Sequence, residues 1–193
     1  MQIDPLYIFV FFGLFSPGPN VILLTASGAR FGFRRTVPHL LGVVVGVGIV
    51  AGLTGLGLGA VLLAFPTLTL ALKVMAALWI LRMAWGLWNA KPRDVADAET
   101  PMSFVEAILF QWVNPKIWTV ALVGISAYAG GLTPLGEALR LASAFSGINF
   151  FVCLFWTAAG TLLTFLQTAP WAWRIFMRVM ALALAVFSIM VLV

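Results

Sequence analysis

The sequence predicts an all-α integral membrane protein: six transmembrane helices in two inverted three-helix repeats, with interrupted first and fourth helices. Of its 193 residues, 63% are hydrophobic and only 9% are charged. The apolar residues form runs of the length that crosses a bilayer, which is typical of transmembrane helices. Two of these runs contain proline breaks, FSPGPN at residues 15–20 and VNPK at residues 113–116. A soluble domain of this length would need far more charge on its surface, so that class is excluded.

The net charge of +5 and the pI near 10.2 raise the alternative of a nucleic-acid partner. The basic residues sit mostly at helix ends and in short loops, where they orient a chain in the membrane. We therefore predict that the chain lies in a lipid bilayer and has no nucleic-acid partner. The first apolar run has no basic segment before it and continues past any plausible cleavage point, so we expect a retained helix rather than a signal peptide.

The apolar runs give six spans, each of about 20 residues or more. The first contains FSPGPN, the second is rich in glycine at small-xxx-small spacing, and the third follows FPT. The fourth contains VNPK, the fifth follows AGGLTP, and the sixth follows QTAP. The predicted spans are 5–27, 38–63, 67–89, 104–127, 136–166 and 171–192.

The segment AKPRDVADAET, at residues 90–100, is the longest break and divides the chain near its midpoint. We predict one transmembrane transporter domain over residues 1–193, with repeat 1 at about 1–90, a cytoplasmic linker at about 90–103 and repeat 2 at about 104–193. Each half opens with a broken helix, and its third helix carries a cation near its start, Lys73 or Arg174.

Three spans in each half place the two halves in opposite orientations. The first loop of the first half, ARFGFRRT, carries three arginines, and the equivalent loop of the second half, AGGLTP, carries none. By the positive-inside rule the arginine-rich side is cytoplasmic, so both termini are predicted to be periplasmic. Arg140 is an exception on the outer side. The cations assigned to the cytoplasmic side are Arg30, Arg34, Arg35, Lys91, Arg93, Arg174 and Arg178.

The two breaks predict a transport site. Pro17 and Pro19 remove two N–H donors and Gly18 loosens the chain, and Asn114-Pro115 does the same in the fourth helix. Irregular backbone survives at membrane depth only against protein or a water-filled cavity. A helix that restarts there presents its positive end, which suits a carboxylate. We therefore predict that the breaks form two halves of one site.

Four side chains near the breaks and in the fifth span are further candidates. Lys116 lies roughly 18 Å along the fourth span, near mid-membrane, where a lysine faces a cavity or a partner. The alternatives are that Lys116 snorkels to the membrane surface or forms a structural pair with a backbone carbonyl. Asn20 and Asn114 can each hold a ligand or cap the restarting helix. Trp156 lies within the fifth span and can wall the site or pack in the core.

At FSPGPN, VNPK and INFFVCLFWTAAG (residues 148–160), the sequence resembles the LysE/RhtB amino-acid exporters over essentially its whole length. It is most similar in appearance to the exporters of cysteine and O-acetylserine. The resemblance implies a dimeric inner-membrane protein, without a cofactor, that exports amino acids using an ion or proton gradient. The family motifs fall on Pro17, Gly18 and Pro19, on Asn114, Pro115 and Lys116, and on Asn149, Trp156 and Gly160.

The chain departs from the family where many relatives have an aspartate after the first motif, because residue 20 is asparagine. No acidic residue lies clearly at mid-membrane. A neutral site lined by Asn20, Asn114 and Asn149, with Lys116 as its one charge, suits the carboxylate of a zwitterion better than a dication.

The sequence thus predicts an exporter of small neutral amino acids that works by alternating access. It has no nucleotide-binding motif. His39 and Glu106 can carry a coupling proton, the alternative being that both are solvated at the interface. A metal-ion or other small-metabolite exporter is the second hypothesis. An intramembrane enzyme using Ser16 with Lys116 lacks any supporting motif, and a purely structural subunit leaves the two breaks unexplained.

Overall fold

The computed structural model describes residues 4–58, 64–92 and 100–192, and the regular structure in them is helical. A 3₁₀-helix, Leu163–Thr168, joins the last two α-helices. The α-helices are α1 Pro5–Phe15, α2 Pro19–Phe31, α3 Phe33–Gly55, α4 Pro66–Trp88, α5 Phe104–Val113, α6 Pro115–Ala127, α7 Pro134–Leu162 and α8 Pro170–Leu192.

Four of these helices, α3, α4, α7 and α8, are each long and apolar enough to cross a membrane. The other four form two bent pairs: α1 and α2 meet at 57°, and α5 and α6 meet at 63°. Counting each bent pair as one span gives up to six spans in the described residues. The chain is a multi-pass membrane protein, and both proline breaks lie at the bends.

Proline marks where most of these helices begin. Its fixed φ suits the first turn, and its missing N–H would have no intrahelical acceptor there. Side chains cap three helix starts: Asp4 accepts from the N–H of Leu6 at 2.9 Å, and Ser103 and Thr133 cap α5 and α7. The helices that begin at proline start at Pro5, Pro19, Pro66, Pro115, Pro134 and Pro170.

The predicted loop ARFGFRRT is wrong. Helix α2 continues to Phe31 and α3 begins at Phe33, so only Gly32, with φ of 78°, separates them. Arginine is a good helix former, and at the end of a span its side chain can reach water, so the helices extend through these residues. Helix α3 also continues through Pro38. Residues 59–63 of the second predicted span and residues 93–99 of the predicted linker lie outside the described residues.

The most extensive packing joins α3 to α7 and α4 to α8. Glycines allow this approach on both sides of α3. A Cβ added at Gly42 would stand 2.7 Å from that of Ala107 in α5, and one at Gly55 would stand 2.8 Å from the Cα of Ala138 in α7. The α3 glycines therefore serve close packing of helices on both sides of α3. The bent pair α1–α2 packs on α7, and the bent pair α5–α6 packs on α3.

Polar contacts gather the helix ends into two groups. At one end, Arg140 in α7 donates to the Asp4 carboxylate at 2.5 Å and to the Tyr128 carbonyl at 2.7 Å. The hydrogen bonds from Arg140 and the Leu6 N–H hold the pKa of Asp4 below its usual value. Arg140 is therefore neutralised, which accounts for a cation on the side predicted to be outer. At the other end, Trp173 in α8 donates to the Ala90 carbonyl at 3.0 Å, just after α4.

Candidate functional site

The two helix breaks touch each other. The Lys116 ammonium, in the first turn of α6, donates a hydrogen bond to the backbone carbonyl of Ser16, the residue that ends α1. The lysine stem passes beside Gly18, where an added Cβ would lie 2.7 Å from the Lys116 Cδ. Segments about a hundred residues apart in the sequence are thus joined by a direct hydrogen bond.

The local sequence explains why the Ser16 carbonyl is available. The N–H of Ser16 closes the last turn of α1 on the Phe12 carbonyl, and its hydroxyl donates to the Gly13 carbonyl at 3.0 Å. Ser16 has a ψ of 146°, outside the helical range, so its carbonyl does not meet the Asn20 N–H that would be its partner in a continuous helix. Lys116 supplies a donor from another helix instead.

Gln111 links the same two breaks through its side-chain amide. Its Oε1 accepts from Asn20 Nδ2 at 2.8 Å, and its Nε2 donates to Asn20 Oδ1 at 3.1 Å. The same Oε1 accepts from Asn114 Nδ2 at 3.3 Å. Gln111 is fully buried, at 0% exposure. Neither asparagine side chain caps its helix, so the capping alternative for Asn20 and Asn114 is wrong.

Gln111 was not among the residues predicted from the sequence. One signal for it was present: Gln111 lies three positions before Asn114, so both side chains leave the same face of a helix. A buried glutamine on the face that carries the break is the feature that could have identified it.

A small cavity of about 10 Å³ lies where the breaks meet. That volume is close to what one water molecule needs, so a larger molecule could enter only if the surrounding helices separated. Six of the predicted site residues line this cavity, together with six residues that were not predicted. The predicted ones are Gly18, Asn20, Asn114, Lys116, Asn149 and Trp156, and the others are Leu14, Val21, Leu24, Ile117, Val152 and Cys153.

The three predicted prolines do not line the cavity. Pro17 is exposed and Pro19 is buried, and both act on the site by ending α1 and starting α2. Pro115 starts α6 in the same way. Their effect is on the path of the backbone, which places Gly18 and Lys116 at the cavity.

Three buried polar atoms around the cavity have no hydrogen-bond partner among the described residues: Asn114 Oδ1, Asn149 Nδ2 and Trp156 Nε1. Leaving such a group unpaired costs about 1–3 kcal/mol. Two of the atoms belong to donors and one is an acceptor, and all three residues line the same cavity. A ligand that carries both hydrogen-bond acceptors and donors would satisfy them together.

Trp156 combines the two roles left open by the sequence. It lines the cavity, and its ring packs on Phe15 and Phe155 with centroids 5.3 and 5.4 Å apart. Phe15 and Phe155 are themselves 5.3 Å apart. The three rings form a cluster that joins the end of α1 to α7 beside the cavity.

A second cavity, of about 500 Å³, lies on the other face of α2, and its mostly apolar lining includes the polar residues Ser27, Arg30 and His39. The prediction that His39 is solvated at the interface is wrong, because its side chain is 2% exposed. Both of its ring nitrogens are buried without a hydrogen-bond partner in the described residues. Helix α3 starts earlier than predicted, and α2 packs against it, which encloses His39.

Glu106, in contrast, is exposed, as its interface alternative states. Its carboxylate accepts from the backbone N–H of Ser103 at 2.8 Å, and its own N–H donates to the Ser103 hydroxyl at 3.2 Å. This reciprocal capping box fixes the start of α5. The arrangement gives Glu106 a structural role at the end of a span.

The family model described as LysE type translocator matches residues 11–193. This range includes both breaks and every residue that lines the small cavity. The chain belongs to the LysE type translocators. The resemblance on the residues of the two breaks is thereby confirmed.

Curated relatives of this translocator include the cysteine/O-acetylserine efflux protein of Klebsiella pneumoniae, which is 32% identical over 114 residues. The match covers 58% of this chain and 58% of that relative's length. Proteins with the same description from Salmonella choleraesuis and Escherichia coli are 26% identical over 140 residues and 30% identical over 125 residues. These matches cover 72% and 64% of this chain, and 70% and 62% of the relatives. No solved structure matches the translocator.

Proposed function

We propose that this translocator is a secondary transporter that exports small neutral amino acids, or close derivatives, from the cytoplasm by alternating access. The proposed substrates are cysteine, O-acetylserine and similar molecules such as homoserine or threonine. The observation that carries the proposal is the meeting of two interrupted helices at one cavity, where a lysine and three unpaired polar atoms converge. The descriptions of the relatives as efflux proteins for cysteine and O-acetylserine support it.

The chemistry of the cavity suits an amino-acid zwitterion. The Lys116 ammonium and Asn149 Nδ2 are donors for a carboxylate, and Asn114 Oδ1 is an acceptor for an ammonium group. The apolar part of the lining, which includes Val21 and Val152, offers no partner for a charged side chain. Together these groups favour a small neutral amino acid over a dicationic one.

The fold supports a transporter built from two inverted three-helix repeats. In that arrangement α3 is equivalent to α7, and α4 is equivalent to α8, and these are the helix pairs with the most extensive contacts. The two bent pairs are equivalent as well, and they meet at the cavity. We place the arginine-rich end in the cytoplasm, both termini in the periplasm, and the protein in a bacterial inner membrane as a homodimer.

Export needs an energy source, and we propose an ion or proton gradient. His39 is the stronger candidate for a coupling proton, because it is buried within a span and lines the larger cavity. Glu106 is the weaker candidate, since its carboxylate is engaged in the capping box of α5.

The rival functions find less support. No three side chains of His, Cys, Asp or Glu come close enough to hold a metal ion in the described part of the chain. A serine hydrolase needs Lys116 to reach the Ser16 hydroxyl, but Lys116 donates to the Ser16 backbone carbonyl and the hydroxyl donates to Gly13. The geometry therefore favours a binding role for Lys116 over a catalytic one.

The test is amino-acid release from cells that lack their own exporters and have been loaded with dipeptides. We expect the wild type to speed the release of a few neutral amino acids, and Lys116→Ala to slow it about tenfold or more, because a charge-assisted contact to the substrate is lost. Lys73→Ala is the matched control, since Lys73 lines a groove between α4 and α6 away from the cavity. A release profile identical to that of cells without the protein would contradict the proposal.

A further inference from the structure

The Lys116 ammonium already has a partner at the cavity. It donates to the carbonyl of Ser16, which lies at the negative end of the α1 dipole. An α-ammonium group of an amino acid carries the same charge and the same three donors as a lysine ammonium. The Ser16 carbonyl is therefore a site that a substrate ammonium group could occupy in place of Lys116.

We propose that Lys116 is a tethered stand-in for the ammonium group of the substrate, and that it allows the substrate-free carrier to reorient. This inference rests on the proposed export function and adds a step to it. In the structure Lys116 occupies the carbonyl end of α1 and joins the two interrupted helices, and we assign this arrangement to the substrate-free carrier. The cavity beside this contact is then no larger than one water molecule requires.

The physical reason is the cost of unpaired groups at membrane depth. Each unsatisfied backbone group there costs several kcal/mol, and no backbone N–H of the described residues donates to the Ser16 carbonyl. An alternating-access carrier must cross its closed state both with and without substrate. Substrate can pair these groups on the outward step, and Lys116 pairs the Ser16 carbonyl on the return.

Substrate binding exchanges the partners without adding net charge. The substrate ammonium group takes the Ser16 carbonyl, and the freed Lys116 pairs with the substrate carboxylate, beside Asn149 Nδ2. A zwitterion carries no net charge, so the cavity holds one positive charge before and after binding. The helices must separate in this exchange because the cavity is too small for an amino acid.

The contact between Lys116 and Ser16 also depends on Gly18. Its φ of −172° is extended backbone that any residue can adopt, so the backbone does not require glycine there. A Cβ would instead lie 2.7 Å from Lys116 Cδ and 3.0 Å from Lys116 Nζ. The glycine therefore leaves room for the lysine, and Gly18→Ala displaces Lys116 while keeping its charge.

The experiment compares two transport modes in proteoliposomes loaded with radiolabelled L-cysteine kept reduced. Net efflux runs into buffer without amino acid and requires the substrate-free return, whereas exchange runs against external L-cysteine and does not. At saturating L-cysteine, we expect Lys116→Ala to lower net efflux about tenfold or more and to lower exchange less, because the substrate ammonium group still pairs the Ser16 carbonyl on both steps of exchange. Gly18→Ala, which retains the lysine, should likewise lower net efflux more than it lowers exchange.

Asn149→Ala is the matched control, because it alters the cavity but leaves the Lys116–Ser16 contact in place. We expect it to raise KM equally in both modes. Loss of exchange and net efflux to the same degree in Lys116→Ala, or retention of both, would overturn the proposal. Wild-type protein that moves L-cysteine in neither mode would instead overturn the export of this substrate. Each variant is first shown by size-exclusion chromatography to be folded.

Discussion

Gln111 holds the amides of the two breaks in one network. Its side chain accepts from both Asn20 and Asn114 and returns a bond to Asn20. It also donates to the Ala107 carbonyl, one turn earlier in its own helix, at 2.9 Å. A buried amide with this many partners has one orientation, and it passes that orientation on to two side chains of the cavity.

We expect Gln111→Leu to disturb the site through Asn20 and Asn114, the two cavity residues that Gln111 holds. The substitution keeps a buried side chain of similar size but leaves the Asn20 and Asn114 amides without their partner, at about 1–3 kcal/mol for each unsatisfied group. Thermal unfolding in detergent should begin at a lower temperature, and amino-acid release from loaded cells should fall.

Leu109→Ala is the control for Gln111→Leu, because Leu109 lies in the same helix with half its surface exposed. It should change release little. A Gln111→Leu protein with wild-type unfolding and release would show that the amide network has no part in the site.

The residues that the sequence identified are those marked by unusual chemistry. Proline and lysine stand out in an apolar run, and they led to Gly18, Asn114 and Lys116. The apolar cavity residues, such as Val21 and Val152, could not be predicted, because every face of such a helix is apolar. The burial of His39 was missed for a related reason: sequence gives depth along a span but not the neighbours of a side chain.

At the scale of single elements, α2 separates the two cavities. Val21 and Leu24 line the small cavity, and Leu23 and Ser27 line the large one. Helix α2 therefore forms the wall between the two cavities, and it packs on α7.

Two glycines bring α2 and α7 together. At Gly28 a Cβ would lie 3.1 Å from the Thr161 backbone nitrogen, and at Gly160 a Cβ would collide with the Thr25 carbonyl. This close approach leaves no gap between the C-terminal part of α2 and α7. Small residues at a helix crossing allow both tight packing and separation.

We expect Gly160→Ala to destabilise the protein, because backbone atoms of α2 stand where the methyl group would go and cannot move aside cheaply. Thermal unfolding in detergent should shift down by several degrees for a cost of about 1–3 kcal/mol. Gly147→Ala, in the same helix α7, is the control, since its Cβ would meet nothing within 4 Å.

Alanine at position 147 should leave stability unchanged or raise it by up to about 1 kcal/mol through helix propensity. Equal destabilisation by the two substitutions would mean that glycine at 160 serves no close contact.

Helix ends show what local sequence can predict. Spans that start at proline were located to within two residues, at Pro66 for a predicted 67, at Pro134 for a predicted 136 and at Pro170 for a predicted 171. The α2–α3 junction was not, because Gly32 alone forms it and the surrounding arginines had been read as a loop. Proline fixes a helix start by its covalent ring, whereas the meaning of charge depends on whether the residues lie in lipid or in water.

At the scale of the whole molecule, orientation in the membrane follows from how the helix ends are grouped. Tyr128 and Arg140 lie at the end where α1 begins. Ala90 and Trp173 lie at the end where α2 finishes, together with Arg30 and Arg178, two of the predicted cytoplasmic cations. Two positions exposed at opposite ends can therefore report the orientation.

We expect Leu132→Cys, in the loop after α6, to react with a membrane-impermeant maleimide in intact spheroplasts. Lys91→Cys should react only after the membrane is permeabilised, because positive residues are retained on the cytoplasmic side. Both positions are exposed, and both variants are made with Cys153→Ala to remove the one native cysteine. The reverse labelling pattern would invert the proposed topology.

The partner of Lys116 is a main-chain oxygen, and this affects how the contact can be lost. Every amino acid at position 16 supplies the same carbonyl, so substitution there leaves the acceptor in place and comparison of related chains would reveal no side chain that varies together with the lysine. What the contact depends on is the number of residues between each break and the neighbouring helix. A one-residue insertion or deletion beside either break would rotate the acceptor away from the lysine, and the spacing of the chain is thus inherited as part of the site.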